Sequence, residues 1–271
     1  MGDLKERGNT SSPMYVHDAQ TGPLLEVKNV KKAFGHVQAL NGVSFTIGHA
    51  SVVALLGDNG AGKSSLISLL NGLYTPDSGE IMWQGQAVRL SSPRTAAALG
   101  IATVFQDLAM VDEMSIYRNM FLGREELVSR RIGPFYFMAH AHAKREASKA
   151  IAALGIKIKS TEAPVEVLSG GQRQSIAIAR AVHFGGRLLV LDEPTSALSL
   201  RQTAQVLATV ERTREKGAAV LFISHNVRHA FQVADHFVVL SQGEVAGDVP
   251  KEQADFDQIS TMIMEGKAVE R

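Results

Sequence analysis

One stretch of the sequence matches in full the phosphate-binding loop pattern G-x-x-x-x-G-K-[ST]. It reads Gly57-Asp58-Asn59-Gly60-Ala61-Gly62-Lys63-Ser64. Glycines at this spacing let successive backbone N–H groups converge on the β and γ phosphates of a nucleotide, and a helix after the loop adds positive potential. Lys63 supplies a positive charge for the same phosphates, and the hydroxyl of Ser64 can ligate Mg²⁺. The loop therefore predicts a site for nucleotide phosphates.

A second candidate site lies where the apolar run 188–191 is followed by two carboxylates, Asp192 and Glu193. A carboxylate at the end of a buried strand beside the phosphate loop can hold Mg²⁺ through water, which suits Asp192. Glu193 can then polarise an attacking water molecule as a general base. An apolar strand that ends in two acidic residues is commonplace by itself, so this interpretation depends on the loop upstream. Together the two motifs predict a nucleoside triphosphatase.

The residues Ser169-Gly170-Gly171-Gln172 stand at the start of a predicted helix at 172–182. A hydroxyl and backbone N–H groups at a helix start form a second cradle for an anion. The same pattern is equally typical of an ordinary helix N-cap with a flexible lead-in. One nucleotide cannot easily use both cradles within one subunit, so the first interpretation predicts a nucleotide held across a dimer interface.

The elements that must position these residues follow from the hydrophobic pattern. Residues 24–30 and 43–47 alternate between apolar and polar, as expected for half-buried strands. Nearly all-apolar runs indicate strands covered on both faces, and they lie at 51–56, 101–105, 188–191 and 220–223. Helical stretches lie between them, at 63–70, 143–154, 172–182 and 200–215. Buried strands that alternate with helices predict an α/β fold with a parallel sheet.

Two segments depart from this alternation. Residues 107–167 contain no buried-strand run and are interpreted as mostly helix and loop, with Gly133-Pro134 as a break. We expect this segment to be a helical subdomain inserted into the α/β core. Residues 1–22 are polar and are expected to form a flexible tail outside the fold.

The composition excludes several classes of protein. The 271 residues include 28 Lys and Arg against 27 Asp and Glu, and a net charge of +1 gives no electrostatic basis for binding nucleic acid. The absence of cysteine from the sequence rules out disulfide scaffolds, thiolate zinc sites, iron–sulfur clusters and cysteine nucleophiles. The apolar runs are far shorter than the ~20 residues that a membrane-spanning helix needs. If this protein acts at a membrane, we expect a partner to hold it there.

The order of the motifs resembles that of the nucleotide-binding subunit of ATP-binding cassette (ABC) transporters, as one domain over residues 23–266. Residues 168–172 look like the family signature, because they follow the inserted segment and precede the Asp-Glu strand. Gln106 matches the family's Q-loop glutamine, and His225 matches its switch histidine. Phe34 stands where the family places an aromatic residue that stacks on adenine. The resemblance implies a P-loop NTPase core with a mainly parallel sheet, an antiparallel β subdomain and an inserted α-helical subdomain.

The resemblance also implies an ATPase site shared between two copies of the chain in a head-to-tail dimer. Glu193 is expected to orient the attacking water, and His225 to contact the γ phosphate. The implied Mg²⁺ ligands are Ser64, Gln106 and Asp192. The residues implied to bind ATP are Phe34, Gly57, Asp58, Asn59, Gly60, Ala61, Gly62, Lys63, Ser64, Ser65 and Gln106 of one subunit and Ser169, Gly170, Gly171 and Gln172 of the other.

One motif differs from the family pattern. Ser196-Ala197-Leu198-Ser199 occupies the D-loop, where the family commonly has Asp in the last place. Ser199 keeps a hydrogen-bonding group but lacks the charge. The difference is expected to affect communication between the two sites of a dimer rather than the binding of ATP.

Residues 117–125, which read YRNMFLGRE, look like a stretch of the carbohydrate importers of the ribose, fructose and xylose type. Many of those proteins carry two cassettes in one polypeptide, whereas this chain has one, so the resemblance implies a homodimer. It further implies an ATPase that powers sugar import, peripheral to the cytoplasmic face of the inner membrane. The implied partners are integral-membrane permease subunits and, indirectly, a solute-binding protein, without nucleic acid.

Two alternatives stay open at this point. One is a cassette that serves another solute or an exporter, and the other is a soluble cassette protein of DNA repair or translation. The soluble class generally needs two cassettes in tandem or a long coiled coil between the halves of the motif set. The stretch between Gly57 and Ser169 is too short for such a coil, which disfavours that class.

Two smaller features have simple interpretations. His140 and His142 lack further ligands nearby in sequence, so a solvated helix start is favoured over a metal pair. The aromatic residues at 135–137 can belong to the core of the inserted segment or to a surface that receives the permease, and the core is favoured.

Overall fold

The computed structural model describes residues 22–132 and 135–266. The expected tail at 1–22, apart from its last residue, and the expected break at Gly133-Pro134 lie outside the described residues. The strands are β1 (Leu25–Phe34), β2 (Val37–Ile47), β3 (Val52–Leu56), β4 (Ser78–Trp83), β5 (Gln86–Ala87), β6 (Ile101–Val104), β7 (Ser129–Ile132), β8 (Phe135–Met138), β9 (Leu188–Asp192), β10 (Ala219–Ser224), β11 (His236–Ser241) and β12 (Glu244–Pro250). The helices are α1 (Lys63–Leu70), α2 (Pro93–Leu99), α3 (Ile116–Met120), α4 (His140–Ala153), α5 (Gly170–His183), α6 (Leu200–Glu215), α7 (Val227–Val233) and α8 (Phe256–Glu265).

The central sheet has the strand order β12-β11-β3-β10-β9-β6. Its strands pair in parallel, except that β12 pairs antiparallel with β11 at one edge. β3 is buried along its whole length: Val52, Ala54 and Leu56 pack into one core, and Val53 and Leu55 into another. Because both faces are covered, such strands need continuous apolar sequences, which is the pattern that predicted them.

Each face of the central sheet is covered by a different layer. One core lies between the sheet and α5, α6, α7 and α8. The other core includes α1 and a second, antiparallel sheet with the order β2-β1-β4-β5. The two strands predicted from alternation lie in this second sheet, where 24–30 overlaps β1 from Leu25 onward and 43–47 lies within β2. The pattern did not predict β4 and β5. The α/β architecture with a parallel sheet is therefore as predicted.

Residues 107–167 differ in part from the expectation of helix and loop. They contain α3 and α4, but also a hairpin in which β7 pairs antiparallel with β8. Each strand of the hairpin has 4 residues, which is too short to show a recognisable alternation in the sequence. Phe137 is 54% exposed, so the interpretation of the aromatic stretch as core does not hold for this residue.

α4 begins at His140, as expected for a solvated helix start, and this side chain contacts the hydroxyl of Tyr117 rather than a second histidine. Among the residues that the structure describes, no helix combines the length and the apolar character needed to cross a bilayer.

Candidate functional site

The parallel sheet brings the predicted site residues to one edge. The phosphate loop follows β3, Glu193 follows β9 and His225 follows β10, so each stands at the carboxyl end of its strand. β10 lies between β3 and β9, and Ile223 is in register with Asp192. Gln106 follows β6, the neighbour of β9 on its other side. Open parallel sheets bind their ligands outside this edge.

Two glycines of the phosphate loop are required by the close approach of neighbouring backbone. Gly57 has a φ of +153°, and a Cβ atom there would lie 2.4 Å from the carbonyl oxygen of Leu240. Gly62 has a φ of +107°, and a Cβ atom there would lie 2.7 Å from the carbonyl oxygen of Ala39. Only glycine combines these φ values with such contacts. The loop is therefore seated against β11 and β2, which hold its backbone.

The loop leads directly into α1, whose first backbone hydrogen bond runs from the Leu66 N–H to the Gly62 carbonyl at 3.0 Å. The N–H groups of Lys63, Ser64 and Ser65 precede this bond and have no acceptor within the helix. Together with the positive end of the helix dipole, these N–H groups form a binding position for an anion.

The ammonium group of Lys63 lies within the loop. It donates to the carbonyl oxygen of Gly57 at 2.7 Å and to that of Asp58 at 2.9 Å. Partial burial lowers the pKa of Lys63, and the negative charges of Glu193, Asp58 and Asp192 act against that effect. The loop thus presents a partly desolvated positive charge, which interacts more strongly with phosphate than a charge in open water.

Asp192 has the chemistry of a ligand for a hard cation. Burial raises the pKa of Asp192, the negative charge of Glu193 adds to the rise, and the positive charge of Lys63 opposes it. Within the described part of the chain, no three His, Cys, Asp or Glu side chains are grouped as a metal site. Mg²⁺ commonly takes one or two protein ligands and completes its shell with phosphate oxygens and water. The carboxylate of Asp192 and the hydroxyl of Ser64 fit that donor set.

Glu193 and His225 are in direct contact. The Oε1 atom of Glu193 accepts the backbone N–H of His225 at 3.0 Å and lies 2.9 Å from its Nδ1. Glu193 has a φ of +47°, which is uncommon for a residue other than glycine, and its own N–H donates to the carbonyl of Ile223 at 3.0 Å. Unusual backbone conformations of this kind cluster at functional sites. The structure therefore joins the predicted base and the predicted switch histidine in one unit.

Ser169 is the N-cap of α5. Its hydroxyl accepts the Gln172 N–H at 3.3 Å, and the amide oxygen of Gln172 accepts the Ser169 N–H at 3.0 Å. The amide nitrogen of Gln172 donates to the carbonyl of Lys157 at 3.0 Å. The sequence left residues 169–172 open to two interpretations, an anion cradle and a helix N-cap, and the structure contains the N-cap. A capped helix still offers the positive end of its dipole to an anion, so the cap does not exclude the anion cradle.

Gly170 and Gly171 lie where α5 packs on α6. A Cβ atom at Gly171 would lie 2.9 Å from the Cβ and from the carbonyl oxygen of Gln202, whereas one at Gly170 would meet the end of the Leu198 side chain. Ser199 is the N-cap residue of α6, and its N–H donates to the amide oxygen of Gln202 at 3.0 Å. The signature stretch and the predicted D-loop are therefore neighbours within one subunit.

Phe34 and Gln106 lie at the surface. Phe34 ends β1 and is 38% exposed, so it is not a core residue. Its ring packs against Tyr74 with the ring centroids 5.0 Å apart and the planes at 74°. Gln106 is exposed in the loop after β6. Both side chains are accessible to a ligand.

The sequence analysis missed His229, which lies beside the loop that follows Glu193. Its Nδ1 lies 2.9 Å from the hydroxyl of Thr195, two residues after Glu193. Burial lowers the pKa of His229, and the neighbouring His225 lowers it further. Asn226 caps α7 by accepting the His229 N–H at 3.1 Å. The available signal was the spacing of four residues between the two histidines, which is one turn of a helix.

Comparison with known proteins identifies relatives of this chain. Residues 40–196 match the ABC transporter family model. The chain is 42% identical over 240 residues to the xylose/arabinose import ATP-binding protein of Sulfolobus acidocaldarius, covering 89% of this chain and 93% of that protein. It is 40% identical over 215 residues to the fructose import ATP-binding protein of Rhizobium meliloti, covering 79% and 83%. It is 36% identical to a ribose import ATP-binding protein of Corynebacterium glutamicum, covering 97% of this chain and 48% of that protein.

Solved structures share the architecture. A nucleotide-free ATP-binding cassette from an ABC transporter superposes with a TM-score of 0.75 at 22% identity, covering 90% of this chain and 96% of that one. The ADP conformation of another such cassette superposes with a TM-score of 0.78 at 24% identity, covering 90% and 98%. At these identities the likeness concerns the fold, and it confirms the predicted fold class.

Proposed function

The chain belongs to the ABC transporter family, and we propose that it is the ATP-hydrolysing, nucleotide-binding subunit of a sugar importer. The observation that carries this proposal is the single edge of the parallel sheet at which the phosphate loop, Glu193 and His225 meet. Relatives named as xylose/arabinose, fructose and ribose import ATP-binding proteins support sugar as the transported solute.

The phosphate loop binds the β and γ phosphates of ATP through its backbone N–H groups and the N-terminus of α1. Lys63 moves its hydrogen bonds from the loop carbonyls to the phosphate oxygens, where the charge is better compensated. Residues 57–65 thus hold the triphosphate, and Phe34 at the end of β1 stacks on the base.

Ser64, Gln106 and Asp192 are the residues that would hold Mg²⁺. When bound, Mg²⁺ neutralises part of the phosphate charge that develops in the transition state. Asp192 is suited to this position because its carboxylate is partly desolvated beside a second carboxylate, a situation that a cation relieves.

Glu193 acts as the general base. It takes a proton from water as the water oxygen attacks the γ phosphorus, and the bond between that phosphorus and the bridging oxygen of ADP breaks. His225 orients Glu193 through the two contacts to its Oε1 atom and contacts the γ phosphate. Glu193 has a positive φ, and in this conformation its carboxylate contacts His225.

A second copy of the chain completes the site. The N-terminus of α5, at residues 169–172, provides the second anion cradle, and two ATP molecules are held between two head-to-tail subunits. ATP closes this dimer, and loss of the γ phosphate opens it. The close approach of Gly170 to Leu198 supports this scheme, because it places the signature stretch beside the D-loop within one subunit.

The partners are integral-membrane permease subunits and, indirectly, a solute-binding protein. We assign residues 23–266 to one nucleotide-binding domain, with the inserted segment 107–167 facing the permease. This arrangement places the protein peripherally at the cytoplasmic face of the membrane.

The proposal is tested in cells of the source organism that lack this chain. We expect reduced uptake of at least one labelled sugar among xylose, arabinose, fructose and ribose. Wild-type protein restores uptake and Lys63→Ala does not, whereas the matched control Lys216→Ala restores it, since Lys216 is an exposed lysine just after α6, outside the inserted segment. Unchanged uptake of all four sugars without the chain would contradict sugar import, and increased retention of a solute would indicate export.

A further inference from the structure

A group of residues around Phe34 has no part in the chemistry described so far. Asp77 lies just before β4, and its N–H donates to the carbonyl of Lys31 at 2.9 Å. One oxygen of its carboxylate accepts the Ala33 N–H at 2.7 Å, and the other accepts the Lys32 ammonium at 2.8 Å. The backbone pairing of β1 with β4 ends at Lys31, and the side chain of Asp77 extends the contact between the two strands to Lys32 and Ala33.

This contact coincides with an irregularity in β1. The pairing of β1 with β2 shifts register between Lys32 and Ala33. Such irregularities redirect the side chains that follow them, so the backbone at this point sets the direction of Phe34. Asp77 binds one residue on each side of the shift and thereby holds it in one conformation.

Two further groups hold the ring itself. The ammonium of Lys32 lies 5.5 Å from the centroid of the Phe34 ring, within the range of a cation–π contact. Tyr74 packs against the same ring at nearly a right angle. The ring is thus fixed by its neighbours while 38% of the residue stays exposed to a ligand.

A purely structural role does not account for this arrangement. The side chain of Asp77 is 49% exposed, and exposed ion pairs contribute little to stability. The hydrogen bonds from Lys32 and then from Ala33 lower the pKa of Asp77, so its carboxylate is ionised at neutral pH. The hydrogen bonds of its N–H and of its carboxylate described above nevertheless go to the three residues that precede Phe34.

We propose that Asp77 is a positioning residue for the base of the nucleotide, acting through Phe34. With Lys32 and Tyr74, it holds the Phe34 ring at the angle from which the ring stacks on a purine. The inference rests on the proposed function, because it takes Phe34 as the residue that contacts the base.

The test compares a ligand that has a base with one that has none. The two probes are MgATP and inorganic tripolyphosphate with Mg²⁺, titrated calorimetrically into the full chain. Stacking of a base on an aromatic side chain strengthens binding, so its partial loss predicts about 3- to 30-fold weaker ATP binding for Asp77→Ala. The affinity for tripolyphosphate and the kcat at saturating ATP should each stay within about twofold of the wild-type value, because the phosphate loop is unchanged. The matched control is Glu26→Ala, which removes another ion pair of β1, to Lys28, away from the ring.

A double-mutant cycle shows whether Asp77 acts through the ring. In a Phe34→Ala background, Asp77→Ala is expected to weaken ATP binding by less than about twofold further. If Asp77→Ala does not fold, Asp77→Asn replaces it, since Asn keeps an acceptor for the Ala33 N–H and loses the charge opposite Lys32. Unchanged ATP affinity, equal weakening of both ligands, or a full effect without Phe34 would each overturn the inference. Failure of the wild-type chain to bind ATP would instead contradict the proposed function.

Discussion

The Nδ1 atom of His225 lies 2.9 Å from the Oε1 atom of Glu193, and the same oxygen accepts the backbone N–H of His225 at 3.0 Å. The two residues follow β10 and β9, which are paired in parallel. The Glu193 side chain is 16% exposed and the His225 side chain is 61% exposed, so the carboxylate is largely buried while the imidazole faces solvent. The carboxylate that we assign as the base is therefore oriented by contacts within the subunit.

Glu193→Gln separates orientation from proton transfer. Gln keeps an acceptor oxygen for the His225 N–H but cannot take a proton, so we expect hydrolysis to fall by about 100-fold or more while MgATP still binds. Phosphate release measures the rate, and light scattering on a sizing column should show an ATP-dependent dimer. The exposed Glu211 on α6 provides the control Glu211→Gln, which should hydrolyse normally. Hydrolysis at the wild-type rate by Glu193→Gln would mean that another group is the base.

Ser169→Ala tests whether the α5 cap also serves the nucleotide. Ser92 caps α2 in the same way, accepting the Thr95 N–H at 3.1 Å, so Ser92→Ala is a matched control. Each substitution should lower the free energy of unfolding by about 0.5–2 kcal/mol through the lost cap. We expect only Ser169→Ala also to reduce ATP-dependent dimerisation, measured by light scattering in the Glu193→Gln background. If Ser169→Ala and Ser92→Ala dimerise to the same extent with ATP, residues 169–172 cap α5 without binding the nucleotide.

The stability of the chain should fall in mild acid because of His183. Burial lowers the pKa of this side chain, with the negative charge of Glu146 opposing the effect, and its ring packs against Phe121 and Phe184. The unfolded chain then binds more protons than the folded one, so the free energy of unfolding decreases as pH falls from the ordinary value of 6.5 toward the lowered pKa, below which the loss is complete.

His183→Gln removes this titration, and urea unfolding over that pH range should show a flatter dependence than wild type. His36 is exposed in the turn after β1, and His36→Gln should keep the wild-type slope. Equal slopes for His183→Gln and wild type would show that other groups cause the acid sensitivity.

The two glycines of the signature should differ in their effect on stability. An alanine methyl at Gly171 meets the backbone of Gln202, which cannot move aside, so we expect Gly171→Ala to lower the free energy of unfolding by about 1–3 kcal/mol. A methyl at Gly170 meets the end of the flexible Leu198 side chain, and Gly170→Ala should be close to neutral. Urea titrations of both variants measure the difference. A larger loss for Gly170→Ala would mean that α5 does not pack on α6 as described.

Much of this protein could be predicted from the sequence alone, because the relevant information is local. The phosphate loop depends on glycines and a lysine at fixed spacing within 57–64. The buried strands depend on uninterrupted apolar runs, and α6 was predicted with the bounds that it has, Leu200–Glu215, from helical periodicity. Glu193 could be assigned because a strand and its terminal carboxylates are adjacent in the chain.

The tertiary structure decided which of these segments meet. The contact of His225 with Glu193 exists because β10 inserts between β3 and β9, a strand order that no local pattern encodes. The pairing of β1 with β4 brings Asp77 to Ala33, 44 residues earlier in the chain, and Tyr74 packs on the neighbouring Phe34. The hairpin of β7 and β8 went unpredicted because strands of 4 residues carry too weak a pattern. Pairing partners are selected by how the whole core packs, so contacts between distant residues cannot be derived from their neighbours in the chain.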